Sequence, residues 1–376
     1  MKLPSSVVGI DLGNSSLKAV RLQKKGAEYV LSRAAILPAP LDASVLTEQR
    51  LADLIKQLIS LVKTSGADVH FTVNSPNSTV RYVELPQISL SDIRSALKLN
   101  SATYLRQKFD NYTFDACPLD AEAEAALKES QKQKKDTSGV HGKVKLLVGG
   151  LPNTETMLYF HAARRAGIRP GSLQLSPISF INCFEAARPE LFHNQAVALL
   201  DVGFLSSSLT ILDKGKPLLT RSVPTGAKQI TEYIAQSTNS DFAKAEATKL
   251  ADDNLLGEAT SKTCVTLIRE VRSSINFFEK NSDQPISKVF VTGGSSSSPG
   301  VISVLCNEIG SPCENWDATA GLQTELPSEQ QEIFTRNKAA FSAAIGTARS
   351  FTTLPQLREA ALTPPKPVTP PTVPPS

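Results

Sequence analysis

The chain has 376 residues, 41% hydrophobic and 20% charged, with a formal net charge of +4. That length supports two ordinary cores, and the near-neutral balance, part of it from one Lys-rich segment around residue 131, excludes a dedicated nucleic-acid surface. Five cysteines (Cys117, Cys183, Cys264, Cys306, Cys313) form an odd set without CxxC spacing, which gives no metal pattern and suits a reducing, cytoplasmic location, and no run of about 18 apolar residues marks a membrane span.

In chain order, residues 7–38 read as a three-stranded meander: "VVGIDL", "LKAVRLQ", a "KKGAE" turn, and "YVLSRAAIL" ending at Pro38. A helix follows, with Leu51, Leu54, Ile55, Leu58, Ile59 and Val62 at amphipathic spacing and Gly66 just beyond it. "DVHFTVN" reads as another strand. From about Glu84 the texture changes. "SLSDIRSALKLNSATYLRQ" is helical with Ser91 or Asp92 as N-cap, "KVKLLVGGL" is a buried strand, and "NTETMLYFHAARRAGI" is a helix capped by Asn153 or Thr154. Residues 120–143 between them lack periodicity and read as a mobile excursion. This divides the chain into a first domain at 1–83, an inserted subdomain at 84–175, a second domain at 176–350 that returns to the first, and a Pro-rich tail at 351–376 that cannot pack.

At residue 197 the opening plan returns. "AVALLDVGFLSSSLTILDKGKPLLTRSVPTG" repeats "VVGIDLGNSSLKAVRLQKKGAEYVLSRAAILP": an apolar strand ends in Asp-x-Gly at Asp11–Gly13 and again at Asp201–Gly203, and serines follow in both. A Lys-Gly turn comes 15 residues after the first Asp (Gly26) and 14 after the second (Gly215), then Arg33 or Arg221, then Pro38 or Pro224. Two such hairpins, each opening a half of the chain, argue for a duplicated domain. Helices then read at "AKQITEYIAQS", "SDFAKAEATKLA" and "TLIREVRSSINFFEK". The strand "KVFVTGG" breaks into "SSSSPG" before a helix at Val301–Ile309, and "AAFSAAIGTARS" closes the second half.

Three loops share one chemistry: "DLGNSS", "DVGFLSSS" and "TGGSSSSPG". Glycine lets backbone N–H groups converge on an anion, and short hydroxyl and amide side chains add donors without blocking access. Asp11 and Asp201 at the strand ends suit a hydrated divalent cation, because Mg²⁺ keeps most of its waters and takes few carboxylates. Neither GxxxxGK[ST] nor a strand-to-helix GxGxxG is present. His70, His141, His161 and His193 are scattered and suggest no metal or catalytic site.

Hairpin loops in both halves plus a Gly-Gly loop resemble the superfamily of actin, heat-shock chaperones and sugar kinases. Within it the chain resembles the PilM family of type IV pilus assembly proteins, related to the division protein FtsA. The residues that carry this are "GIDLGNSSLKAVRL", "ALKLNSATYL", "LLDVGFLSSSLTIL", "RSVPTGAKQITEYIA", "LIREVRSSINFFE", "VFVTGGSSSSPGV" and "AAFSAAIGTA", spread over about residues 6–349. The resemblance implies an α/β, actin-like (RNase H-like) duplicated two-domain ATPase fold with an inserted α+β subdomain. It implies ATP and Mg²⁺ as ligands, with Asp11 and Asp201 facing the metal. Gly13, Asn14, Ser15, Ser16 and Lys18 would hold the β and γ phosphates, and Gly203, Ser206, Ser207 and Ser208 would form the second phosphate loop. Gly293, Gly294 and Ser295 would pass under the adenosine near Arg272 and Ser273, and Thr225, Gly226 and Lys228 would border the cleft. The chain departs from many relatives at Phe204, a bulky side chain where a second glycine follows Asp-x-Gly. No general base for water activation stands out, so ATP binding is expected rather than turnover.

The resemblance further implies a cytoplasmic scaffold, peripheral to the inner membrane, in pilus or related type II secretion assembly. Its partner would be the N-terminal segment of a PilN-like inner-membrane protein, held in a groove near Val83–Leu99 and Leu146–Leu151. The resemblance also allows pilus assembly ATPases and further copies of the chain as partners, and no nucleic acid. A sugar or acetate kinase of the same superfamily would need a substrate-side carboxylate base. An FtsA-like polymerising protein would need an amphipathic C-terminal helix where this sequence has its Pro-rich tail.

Overall fold

The computed structural model describes residues 3–39, 47–132, 142–282, 284–294, 296 and 298–352. The first sheet opens with β1 (Ser6–Leu12), β2 (Ser16–Lys25) and β3 (Glu28–Pro38), followed by α1 (Glu48–Val62) and β4 (Asp68–Val73). The chain then leaves this sheet for β5 (Thr79–Pro86), α2 (Leu90–Leu99), α3 (Ser101–Leu105), β6 (Tyr112–Pro118), α4 (Ala121–Lys132) and β7 (Lys143–Pro152). It comes back through α5 (Asn153–Arg165), β8 (Ser172–Leu175) and α6 (Ser176–Ala187). The second sheet is built from α7 (Pro189–Asn194), β9 (Ala196–Val202), β10 (Ser207–Asp213) and β11 (Lys216–Val223), then α8 (Ala227–Ser237), α9 (Phe242–Ala251), α10 (Asp253–Thr263), α11 (Val265–Lys280), β12 (Val289–Thr292), α12 (Pro299–Ile309) and β13 (Cys313–Asn315). Finally β14 (Gln323–Thr324), α13 (Ser328–Arg336) and α14 (Ser342–Arg349) return to the first sheet.

The strand orders are β14-β3-β2-β1-β4-β8 and β11-β10-β9-β12-β13, with a separate β5-β7-β6 sheet. In each large sheet an antiparallel meander is extended by a parallel strand, β4 beside β1 and β12 beside β9. The duplication extends to irregularities: the β2–β3 register shifts between Arg21 and Leu22, and the β10–β11 register shifts between Ile211 and Leu212. Both hairpins turn through a left-handed glycine, Gly26 at φ +63° and Gly215 at φ +79°, a conformation glycine adopts without a Cβ clash.

The central strands β1 and β9 are buried along their whole length, because helices cover both of their faces. From β1, Val8, Ile10 and Leu12 pack with Leu51, Ile55 and Leu58 of α1, while Val7 faces Ala344 and Ala348 of α14. Val197 and Leu199 of β9 join that second cluster, so α6 and α14 lie in a core shared by both sheets. The approach is close. A Cβ added to Gly9 would stand 2.1 Å from the Ala344 carbonyl oxygen, and one on Gly346 would stand 1.9 Å from that of Ser179.

Several sequence expectations change. Residues 121–132 of the supposed excursion form α4, whose Ala123 and Leu127 are buried, and residues 133–141 lie outside the described set. The helix predicted over 89–107 breaks at Asn100, with Ser89 rather than Ser91 or Asp92 capping its first half by accepting from Asp92 N. Helix α5 follows Pro152 without any side-chain cap, and α6, α10 and α13 had no sequence reading. The Pro-rich stretch from residue 353 lies outside the described residues.

Candidate functional site

The strand ends of β1 and β9 open on one cleft of about 300 Å³, lined by Asp11, Gly13, Asn14, Ser15, Ser16 and Lys18 from the first half and by Asp201, Gly203 and Gly293–Gly294 from the second. The two hairpins present matched turns. A Cβ on Gly13 would meet Ser16 O at 2.7 Å and Asp11 Oδ2 at 3.4 Å, and a Cβ on Gly203 would meet Ser206 O at 2.5 Å and Asp201 Oδ2 at 3.6 Å. Each glycine is therefore required by the turn folding back over its own carboxylate. Gly293, at φ +105°, passes over Asp201, and its added Cβ would sit 2.3 Å from Val202 O.

The carboxylates are buried, Asp11 at 6% and Asp201 at 5% exposure, but their partners differ. Lys18 donates to Asp11 at 3.1 Å from the directly opposite position on β2. The position opposite Asp201 on β10 is Ser208. Asp201 instead accepts from Asn74 Nδ2 at 3.2 Å, and the Asn74 carbonyl accepts from Asn14 at 3.3 Å, so the end of β4 ties the two hairpins together. Burial pushes the Asp201 carboxyl up to about 8; the Asp11 charge adds to the rise and Lys18 opposes it.

Other expected residues stand elsewhere. Ser207 is buried and donates to Thr225 O at 2.7 Å, and Ser206 Oγ has no partner and lies away from the cleft. Gly226 backs the second turn rather than lining the cleft: Ala227 N and Lys228 N donate to the carbonyls of Gly203 and Phe204 at 2.8 and 2.9 Å, and Lys228 reaches Glu232 at 3.7 Å. Arg272 and Ser273 are exposed on α11 and do not reach the cleft, and Ser295 lies outside the described residues. Phe204 lines the cleft, and its ring stands edge-on to Phe242 at 6.3 Å.

Sequence reasoning missed Asn74, Ser176, Glu246, Lys249 and Asn337, all of which line the cleft. Ser176 Oγ is buried without a partner at the start of α6. Lys249 is almost fully buried, donating to Glu246 at 2.8 Å and Thr231 at 3.0 Å. Burial lowers its ammonium below the usual range, with Glu246 opposing. Only Asn74 had a signal, as the polar end of a predicted strand.

These residues fit a metal-bound polyphosphate. Two glycine turns with no room for a Cβ leave backbone facing the cleft, and carboxylate, amide and hydroxyl oxygens suit a hard cation. Among the described residues no group of three or more His, Cys, Asp or Glu could cage a metal alone, which suits an ion that keeps its waters and its phosphates.

The chain is similar in sequence and fold to known proteins. Residues 178–351 match the family described as type IV pilus assembly protein PilM. The solved PilM-PilN type IV pilus biogenesis complex contains a similar chain, with a TM-score of 0.76 and 24% identity over 93% of this chain and 99% of that one. The ethanolamine utilization protein EutJ from Carboxydothermus hydrogenoformans is also similar, with a TM-score of 0.52 and 14% identity over 92% of this chain and 90% of that one. The fold is the actin-like one that the two matched meanders and shared cleft describe.

Proposed function

We propose that this chain, whose residues 178–351 match the PilM family, is an actin-like nucleotide-binding scaffold of type IV pilus or related type II secretion assembly, binding the N-terminal cytoplasmic segment of a PilN-like inner-membrane protein. The observation that carries the reading is the near-complete mutual coverage with the PilM-PilN structure, which takes in the inserted sheet as well as the two hairpin lobes.

In this reading Asp11 and Asp201 face Mg²⁺, the turns at Gly13–Ser16 and Gly203 take the phosphates of ATP, and Gly293–Gly294 pass beneath the nucleoside. A bound Mg²⁺ would supply charge neutralisation between the lobes. Lys18 orients Asp11, Asn74 orients Asp201, and the Glu246–Lys249 pair presents a charged wall on the α9 side of the cleft.

The partner segment fits the inserted sheet. Among the described residues β5 makes ladder hydrogen bonds only to β7, and although its other edge meets β11 around Thr79–Tyr82, the stretch from Val83 onward is unpaired on that side, the arrangement that captures an extended peptide through main-chain hydrogen bonds. A cavity of about 640 Å³ lies along it, lined by Val83, Leu85, Tyr104 and Leu105 among others. Leu146, Leu147, Val148 and Leu151, expected to border the groove, are instead buried in the central strand β7. Ile93 and Leu97 of α2 are buried too, while Leu99 is 86% exposed. No described helix is long and apolar enough to cross a membrane, so the membrane is reached through the partner. Calorimetric titration of a synthetic N-terminal peptide of the PilN-like protein tests this. Binding that weakens at least about tenfold in Val83→Glu supports it, and no binding to the wild-type chain overturns it.

A further inference from the structure

Between the nucleotide cleft and the β5 groove lies a polar junction that neither reading uses. The open edge of β5 abuts that of β11, with Cα atoms of the two strands within 8 Å and no main-chain hydrogen bond between them. A cavity of about 530 Å³ opens there, lined by Arg81, Arg221, Asn77, Tyr82, Tyr112 and Thr220 among others, with no Asp or Glu in its lining.

The cations in it are unequally compensated. Arg221 pairs with Glu270. Arg81 makes no ion pair among the described residues; its guanidinium donates only to Val80 O at 3.2 Å and to Gln107 Oε1 at 3.3 Å. Burial lowers its pKa, and the like charge of Arg221 lowers it further. Arg221 already has Glu270, so Arg81 is the guanidinium whose charge an anion would compensate, and the planar fork of arginine suits phosphate oxygens.

A separate small void of about 20 Å³, lined by Asn74, Ser78, Arg81, Ser208, Thr220 and Ser222 among others, shares Asn74 with the nucleotide cleft and Arg81 with this cavity. On the other side Arg81 and Tyr82 also line the groove along β5. The inserted sheet meets the second lobe where β5 abuts β11, and both arginines line the cavity at that contact.

We propose that the Arg81–Arg221 junction is a binding site for a phosphate-sized oxyanion, free in solution or carried as the phosphoryl group of a phosphorylated protein, and that its occupant holds the inserted sheet against the second lobe. Arg81 supplies the uncompensated charge and Arg221, shared with Glu270, a second cation, with Tyr82 and Thr220 as neutral donors beside them; the Tyr112 hydroxyl donates to Asn77 O and the Asn77 amide to Glu155. The site stands whether or not the cleft takes ATP and whether or not β5 takes a peptide.

Titrating inorganic phosphate into the full chain at fixed ionic strength, followed by calorimetry, tests it. Phosphate affinity should fall at least about tenfold in Arg81→Gln and less in Arg81→Lys, which keeps the charge but loses the fork, and should not change in the charge-matched surface control Arg269→Gln. Circular dichroism melts verify that each variant is folded, and Arg81→Lys serves as the reporter if Arg81→Gln is not. A phosphoserine hexapeptide binding more than about tenfold tighter than phosphate assigns the occupant to a phosphoprotein; equal or weaker binding assigns it to the free ion. No uptake of either probe by the wild-type chain, or phosphate affinity equal in wild type and Arg81→Gln, overturns the proposal. Mg-ATP titrations on the same variants report the cleft separately, so one result does not decide the other.

Discussion

The turn at Gly13 offers a sharp test of the cleft, because stability and binding can be separated there. An alanine Cβ would stand 2.7 Å from Ser16 O and 2.9 Å from Lys18 Nζ. The lysine end can swing aside, but only by leaving Asp11; the carbonyl is backbone, so the turn itself must open. Overpacking of this kind costs about 1–3 kcal/mol. Gly26 is the matched control: it has φ +63° and nothing within 4 Å of an added Cβ, so its alanine variant suffers only left-handed backbone strain, about 1 kcal/mol. In urea titrations Gly13→Ala and Gly26→Ala should therefore lose comparable stability. In calorimetric titration with Mg-ATP they should part: an opened turn moves its N–H groups off the phosphates, lowering affinity roughly 10- to 100-fold, which corresponds to ~1.4–2.8 kcal/mol. Gly203→Ala should lose as much or more, since its Cβ meets Ser206 O at 2.5 Å and Asn74 Nδ2 at 2.9 Å. Mg-ATP affinity in Gly13→Ala equal to that in Gly26→Ala would refute the assignment of this turn to phosphate.

Further outcomes follow from the same geometry. His70, stacked on Phe351 at 3.5 Å and bonded to Ser172, is lowered from 6.5 to about 4, mainly by burial, with Asp68 opposing. The folded state therefore favours the neutral ring, and this stabilisation is intact above pH 6.5 and lost as pH falls from 6.5 toward 4; discounted for solvent screening it is ~1–2 kcal/mol, and urea melts of His70→Gln should lack that pH slope. Gly346→Ala places a Cβ 1.9 Å from Ser179 O and 2.8 Å from Cys183 Cβ, forcing α6 and α14 apart, and should remove ~3 kcal/mol in denaturant titration. Lys249→Met leaves Glu246 without its cation and should lose ~1–3 kcal/mol, with Lys249→Met/Glu246→Gln recovering part of it. Asn74→Ala removes the donor to buried Asp201 and should destabilise the ligand-free chain by ~1–2 kcal/mol; an unchanged melt would show that the tie between hairpins carries no weight.

The duplicated hairpins were legible in sequence because each strand-end Asp-x-Gly is a local requirement: a buried strand, a turn with no space for a Cβ, and a return strand at fixed register. Helices with wide apolar stripes, such as α1 and α11, were legible for the same local reason. What escaped is set by distant packing. Among the described side chains of α4, Ala123 and Leu127 are the buried ones, too sparse a pattern to read as a stripe. The burial of α6 depends on contacts with α14, over a hundred residues away in sequence, so its twelve residues show no distinct polar face. At the site, Asp11, Gly13 and Asp201 are visible in the strand ends, whereas Lys249 and Glu246 line the cleft only because α9 packs across it. Arg272 was misplaced for the converse reason: its position on a polar helix face says nothing about which loop that face meets.

The duplication also explains an asymmetry that neither hairpin shows alone. Asp11 and Asp201 occupy equivalent positions, as do their cross-strand neighbours, but the first half has Lys18 there and the second has Ser208. The first lobe thus neutralises its carboxylate internally, by an ion pair at 3.1 Å. The second lobe cannot, and Asp201 takes its hydrogen bond from Asn74 on the first lobe while its own charge is resisted by burial and by Asp11. A cation entering the cleft therefore meets one carboxylate already paired with Lys18 and one carboxyl without a cation partner among the described residues, whose ionised form it would favour against the burial that opposes it. Because Asn74 reaches Asp201 from the opposite lobe and lines both the cleft and the small void it shares with Arg81, charge added at Asp201 acts on the contact that joins the lobes. A ligand could shift the lobes only through a differential affinity for two arrangements, and Asn74→Ala, which cuts the tie between Asp201 and the first lobe, tests whether this pair of carboxylates contributes to one.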